Sequence, residues 1–455
     1  MADDSPTIRI PTPPQGPSTP EPGSPTPGRG VPPDGTPPGP PRAPKPLGRR
    51  PARLAVIVAV AVIGAVLIAV GQSMFPGASE SPSPVVSPTA STAIGESPTG
   101  EQSPEATPSI AGTPTPVPPS PRPDDEFLLM PKAQFMALPT AGPAWDHLVA
   151  WANEDPGRPD LTDQDARHGV RTLASALVYA RTGEPSYGEK ARAGILGAIG
   201  TERVGANNSI LSLGRQLGAY VLSADFIGLS GADDERFRAW LSDIRTRELD
   251  GHGRWRALIQ THEDAPNNWG SFTGASRIAA SLYLGDTADV ARAAQVLRGF
   301  LGDRAAYSNF QGVEGARSWA CDPEHYTPVN PPCTRDGIDL DGAIVRDIDR
   351  GGNRKWPPGR DGIGYTLESL QGLTVQAELL TVNGFGDVWS WSDDALKRAA
   401  GIVTRSGEAG GLTWNRSEVS HYVPWLLNAR YGLDLPTEPA GIGRLFGFTD
   451  WLYGA

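Results

Sequence analysis

The chain has 455 residues and a formal net charge of −11, with 47 prolines, 54 glycines and two cysteines. That acidic balance argues against nucleic acid as a partner, and a polyanionic ligand has to meet a local basic cluster rather than the overall field. All twelve tryptophans lie within positions 126–455, which marks this stretch as the folded part.

Residues 1–53 are dominated by Pro, Gly, Ser and Thr and have too little aliphatic content to offset the entropy of ordering. Runs such as Pro37-Pro38-Gly39-Pro40-Pro41 favour polyproline II. The segment reads either as a solvated cytoplasmic tail or as a ligand for a cytoplasmic partner that binds Pro-rich motifs. Its net charge of +3 leaves −14 for the remainder. Leu54 to Gly71 is uncharged and mostly aliphatic, and no charge appears from there until Glu80, so the stretch extends to Phe75. At about 1.5 Å per residue a helix over 54–75 reaches roughly 30 Å, which predicts a single transmembrane helix. It starts too far along the chain for a cleaved signal peptide. Arg42, Lys45, Arg49, Arg50 and Arg53 precede it, and no Lys or Arg follows until Arg122. The expected arrangement is a single-pass cell-membrane protein with a cytoplasmic N-terminus and an extracellular C-terminal domain. Residues 76–125, with repeated Ser-Pro and Thr-Pro pairs, read as an extended stalk open to O-glycosylation.

Residues 126–455 read as an all-α domain. Thr162 is expected to cap a helix carrying Val170, Leu173, Leu177 and Val178 and ending at Gly183. Further helices are expected over 209–229, 233–249, 271–284 and 286–301, and again over 366–382, 393–405 and 422–430. The 271–284 segment, with Gly274, Ala275, Ala279 and Ala280, is small enough for close helix packing. Paired helices at such intervals suggest a solenoid or a closed α/α toroid. An irregular stretch near 303–363 is too long for a passive connection and is where binding or catalysis is expected. Cys321 and Cys333 lie inside it, and outside a cell such a pair is expected to form a disulfide. A zinc site needs more ligands than His325 supplies, so neither a metal nor another cofactor is expected.

Three constellations carry candidate chemistry. The first is Thr261-His262-Glu263-Asp264-Ala265-Pro266-Asn267-Asn268-Trp269-Gly270, where two amides at a helix start either bind an anion or merely cap the helix. The second is a local excess of positive charge from Arg346, Arg350, Arg354, Lys355 and Arg360, followed by Tyr365 and Glu368 on one helix face. Arginine forks there suit carboxylates and sulfates, or pair with the aspartates between them. The third is Ser420-His421-Tyr422, a weaker signal. Trp389 and Trp391 are candidates for sugar stacking or for the core. No Gly-rich phosphate loop, Gly-x-Ser-x-Gly elbow or His-Glu-x-x-His helix occurs.

Asn267-Asn268-Trp269-Gly270-Ser271-Phe272, Tyr365-Thr366-Leu367-Glu368-Ser369-Leu370-Gln371-Gly372 and Asp160-Leu161-Thr162-Asp163 resemble motifs of the alginate lyase-like superfamily of polysaccharide lyases. The resemblance covers most of 140–435. It implies an incomplete α/α toroid whose cleft holds an Asn-Asn-His run, an arginine and a downstream tyrosine. Carried over by position, the asparagines are Asn267 and Asn268 and the arginine is best matched by Arg360, less well by Arg350. Two positions depart from the pattern, Trp269 replacing the histidine and Glu368 standing where the catalytic tyrosine tends to fall. The branch is therefore divergent, with His262 and Tyr365 taking over proton transfer or the elimination altered or lost. On this basis the catalytic set is Asn268, His262, Tyr365 and Arg360, and the binding set is Asn267, Trp269, Arg346, Arg350, Glu368, His421 and Tyr422. The expected activity is β-elimination on an acidic, uronate-containing polysaccharide. A non-catalytic glycan-binding ectodomain is one alternative. The other is a toroidal glycoside hydrolase pairing Glu263 or Asp264 with Glu368 across about 5–10 Å.

Overall fold

A computed structural model describes residues 126–203, 209–249, 254–312, 317–352, 354–414 and 421–454. The expected tail, membrane helix 54–75 and stalk lie outside the described residues. Among the described residues no helix is long and apolar enough to cross a membrane.

The domain is mostly helical, as its periodicity predicts. In chain order the helices are α1 (Lys132–Ala137), α2 (Pro143–Asn153), α3 (His168–Thr182), α4 (Pro185–Ala198), α5 (Ser209–Phe226), α6 (Gly231–Ile244) and α7 (Leu258–Asp264). They continue with α8 (Asn268–Leu284), α9 (Thr287–Phe300), α10 (Val345–Ile348), α11 (Arg360–Val382), α12 (Trp391–Glu408), α13 (Tyr422–Tyr431) and α14 (Thr449–Tyr453). Gly183 ends α3 as expected, in the left-handed conformation that spares glycine a Cβ clash. The start of α3 is later than expected. Asp160 accepts from both the N–H and the hydroxyl of Thr162, so Thr162 is locked in a turn and the helix begins only at His168. Helices α2 and α4 are additional to those expected, and each opens with proline in its first turn. Proline there needs no N–H partner and has the right φ, so it starts these helices rather than breaking them.

Helix α8 is the centre of the domain. It packs against α5, α7, α9 and α11, while α3 connects α5 to α2 and α4, and α11 carries α10, α12 and α13. Close approach depends on small residues. A Cβ on Gly214 of α5 would lie 3.0 Å from the Thr273 nitrogen, and one on Gly372 of α11 would lie 2.3 Å from the Ser271 backbone. Hydrogen bonds tie the row together, Ser276 Oγ donating to the Gly214 carbonyl and Gln376 Nε2 to the Ser271 carbonyl, both at 2.8 Å. Leu213, Leu217, Ile278, Leu370 and Leu373 are fully buried between these helices. Each such side chain contributes roughly 1.5–3 kcal/mol by leaving water.

The irregular stretch contains more structure than expected. Strands β1 (Thr334–Arg335) and β2 (Ile338–Asp339) pair antiparallel, with Asp336 and Gly337 both at positive φ in the turn, the geometry that suits Asp-Gly. Cys321 and Cys333 are joined by a disulfide. Asn330 organises the loop beneath it, donating to the Trp319 and Leu340 carbonyls and accepting from the Cys321 N–H.

Candidate functional site

Helix α11 begins at Arg360, six residues before the expected start, immediately after Pro357-Pro358-Gly359. Its first turns therefore carry Arg360, Asp361, Tyr365 and Glu368 along one face, with Leu412 and Thr413 opposite, around an open cleft of about 260 Å³. Tyr365 and Glu368 are three residues apart, the helical spacing that makes side chains neighbours. The guanidinium of Arg350 lies 4.1 Å from the centre of the Tyr365 ring, close enough for a cation–π contact.

Glu368 is the junction of the site. Asn268, 100 residues earlier, donates its amide to Glu368 Oε2 at 2.6 Å. Arg215 donates to the same oxygen, and Arg444 Nη1 lies 3.7 Å from Oε1. The two readings of the asparagine pair are thus divided between them. Asn267 is the cap, accepting from the Trp269 N–H at 3.1 Å, and that frees the Asn268 side chain to reach across to α11. Arg215 is only 3 % exposed and lies over the Phe272 ring. Burial pulls its guanidinium below its ordinary range, and Glu368 opposes that pull.

Beneath Glu368 sits Asp347, buried within α10 and hydrogen-bonded by the Ser369 hydroxyl. Burial pushes its carboxyl up to about 7, the charge on Glu368 adds to the rise, and Arg350 works against it. Burial and the nearby Asp347 raise the phenol of Tyr326, a residue of the disulfide-closed loop.

His262 is not in the cleft, contrary to expectation. It is 1 % exposed, and Arg277 Nη1 lies 3.3 Å from its Nδ1. A guanidinium only donates, so Nδ1 accepts and the ring proton sits on Nε2. Burial first, then Arg277, holds the imidazole well below its usual range. A proton-transfer role for His262 in the cleft is therefore set aside, because α7 turns it into the α8 interface, where a Cβ on Gly274 would lie 2.5 Å from the ring. Glu263 belongs to the same interior network, held by Arg277 and Arg292, and Asp264 accepts from Gln260. Neither lines the cleft with Glu368, so the expected pairing of Glu263 or Asp264 with Glu368 is not formed there; the second carboxylate of the cleft is Asp361.

The remaining candidates are dispersed. Tyr422 is fully buried and donates to the Gln371 carbonyl at 2.8 Å, so it is a core tyrosine rather than a binding residue. His421 is half-buried ahead of α13, and Ser420 lies outside the described residues. Trp269 is half-buried with its ring 5.6 Å from that of Trp255. Arg346 is half-buried in α10, and Arg354 is tied to the Ser318 carbonyl and Asp336. Trp389 is buried in the core, and Trp391 lies under Arg298.

Sequence reasoning passed over three site residues, Arg215, Asp347 and Arg444. Arg215 had a legible signal, being the lone basic residue in the 18-residue run of α5. Arg444 had none. No protein-family model, curated protein or solved structure matches the chain. Among the described residues no group of three or more His, Cys, Asp or Glu is arranged to hold a metal ion.

Proposed function

We propose that residues 126–455 form a lyase-like domain of incomplete α/α-toroid type that cleaves an acidic, uronate-containing polysaccharide by β-elimination. In the same proposal the domain is held outside the cell by the 54–75 helix and the 76–125 stalk. The observation that carries the reading is the convergence of Arg360, Tyr365 and Glu368 on one cleft, with Asn268 reaching Glu368 from α8. Elimination needs the uronate carboxylate neutralised, a base for the C5 proton and an acid for the departing glycosidic oxygen. Arg360 supplies positive charge at the cleft mouth. The Glu368 carboxylate takes the C5 proton, the Tyr365 hydroxyl gives its proton to the leaving oxygen, and exchange with water restores both groups.

The test is incubation of the full-length chain with a panel of uronate polymers, following the ultraviolet absorbance of unsaturated chain ends. Growth of that absorbance is the expected result. One observation favours a second reading, a glycan-binding domain without turnover: the Asn268 amide is already engaged by Glu368, and Trp269 occupies the family's histidine position. Tight polymer binding with no unsaturated ends would select it.

A further inference from the structure

The carboxylate of Glu368 occupies a cradle built for an anion. Two guanidiniums and one amide converge on it, from Arg215 on α5, Asn268 on α8 and Arg444 in the C-terminal loop. Arg444 is also paired with Asp165, but that carboxylate is mostly exposed. The donors exceed what Glu368 can use. Arg215 Nε and Arg444 Nε and Nη1 are buried without a hydrogen-bond partner. Buried donors are normally satisfied; Arg245, Arg247 and Arg405 also have a buried Nε without a hydrogen-bond partner, but of these arginines Arg215 and Arg444 are the ones paired with a carboxylate that lines the cleft. Glu368 itself retains partial access to the cleft, its side chain 20 % exposed, so its carboxylate is able to leave the cradle towards solvent while Arg215 is not.

We propose that Glu368 is a built-in stand-in for a ligand carboxylate. In the free protein it fills the Arg215–Arg444–Asn268 cradle, and a uronate carboxylate entering the cleft exchanges with it. This rests on the reading of the cleft as an acidic-glycan site and adds how that site is regulated. While held by two guanidiniums and an amide, the Glu368 carboxylate is occupied and is not free to turn towards the C5 proton. Exchange gives the arginines to the substrate carboxylate and frees Glu368 to face the C5 proton. Ligand binding and the arming of the base are then one event, and neutral sugars do not trigger it.

Thermal unfolding of the full-length chain and titration with sodium glucuronate test this, with sodium chloride at equal ionic strength and glucose as controls. Glu368→Ala is expected to bind glucuronate at least tenfold more tightly than the parent chain and to melt at higher temperature in its presence but not in chloride or glucose. Combining Glu368→Ala with Arg215→Met should abolish that response. Should Glu368→Ala fail to fold without additive, Glu368→Gln keeps the shape and one acceptor, and a threefold or greater gain is expected. A single variant that treats glucuronate and chloride alike, or a double variant that still responds to glucuronate, overturns the proposal. Because the probe is a monosaccharide, failure to cleave polymer leaves this result untouched, and the two readings fail separately.

Discussion

Two buried arginines, Arg277 and Arg215, are both nearly inaccessible to solvent yet serve opposite ends. Every nitrogen of Arg277 has a partner within its own network: Nε and Nη2 bond Asp289, Nη2 also bonds Glu263, and Nη1 meets His262. Arg292 and Arg245 complete that network against Glu263, Asp286 and Asp289, so charge is balanced three to three. Arg215 instead has an idle Nε and shares one partly accessible carboxylate with Arg444. A closed network holds helices α7, α8 and α9 together. An open one beside a cleft is ready for a ligand. An idle buried nitrogen does not mark a site by itself, since Arg245 Nε in the closed network is idle too; Arg215 differs in that its carboxylate partner also lines a cleft.

The largest expected effect lies in the closed network. Arg277→Met strands Glu263 and Asp289 and should cost roughly 3–5 kcal/mol in denaturant unfolding, with Arg277→Lys recovering little because one ammonium cannot replace a fork. A loss below about 1 kcal/mol would mean that this network is as loosely bound as the open one.

On the open side, Tyr365→Phe keeps the ring under Arg350 and removes only the hydroxyl. If the cleft performs elimination, turnover should fall by roughly 10²–10⁴-fold with unfolding unchanged. Unaltered turnover would make Tyr365 packing.

Asp347 gives the third contrast, a buried carboxyl with no cation bonded to it. Its folded-state value of about 7 lies above the ordinary 3.8, so the protonated form stabilises the fold. That contribution is complete below about 3.8 and is lost as the pH rises through about 7. Asp347→Asn should therefore flatten the stability profile across this window and gain on the order of 2 kcal/mol above it, while leaving stability at pH 4 nearly unchanged. Parallel profiles for variant and parent would place the titration elsewhere.

The smallest effect is expected from opening the bridge. Replacing Cys321 and Cys333 by serine removes a short-loop constraint worth about 3 kcal/mol at most, partly offset by the freedom the native loop regains. The loss should fall on the loop behind Asp347. Hydrogen exchange should rise around Tyr326 and Asn330 and stay constant around Arg277; a uniform rise would mean that the bridge supports the whole domain.

Local signals in the sequence determined much of this molecule. Apolar periodicity placed α5, α6, α8, α9, α12 and α13 to within a few residues, Gly183 ended α3, and the cysteine pair implied the bridge that is present. The small residues of α8 implied close packing, and Gly214 and Gly372 of its neighbours show how close. The Tyr365 and Glu368 spacing placed both on one face, as they are. Each of these follows from chemistry within a few residues of chain.

Tertiary structure decided which polar residues meet. His262 and Asn268 are six apart in the sequence, yet one enters the α8 interface and the other reaches α11, because Asn267 caps α8 between them. Arg215, Glu368 and Arg444 come together from positions more than 70 residues apart, and the Arg215–Glu368 pair alone spans 153 residues. No periodicity encodes such a pairing. It arises from how closely α5 and α11 approach α8, and that distance is set by the absent side chains of two glycines.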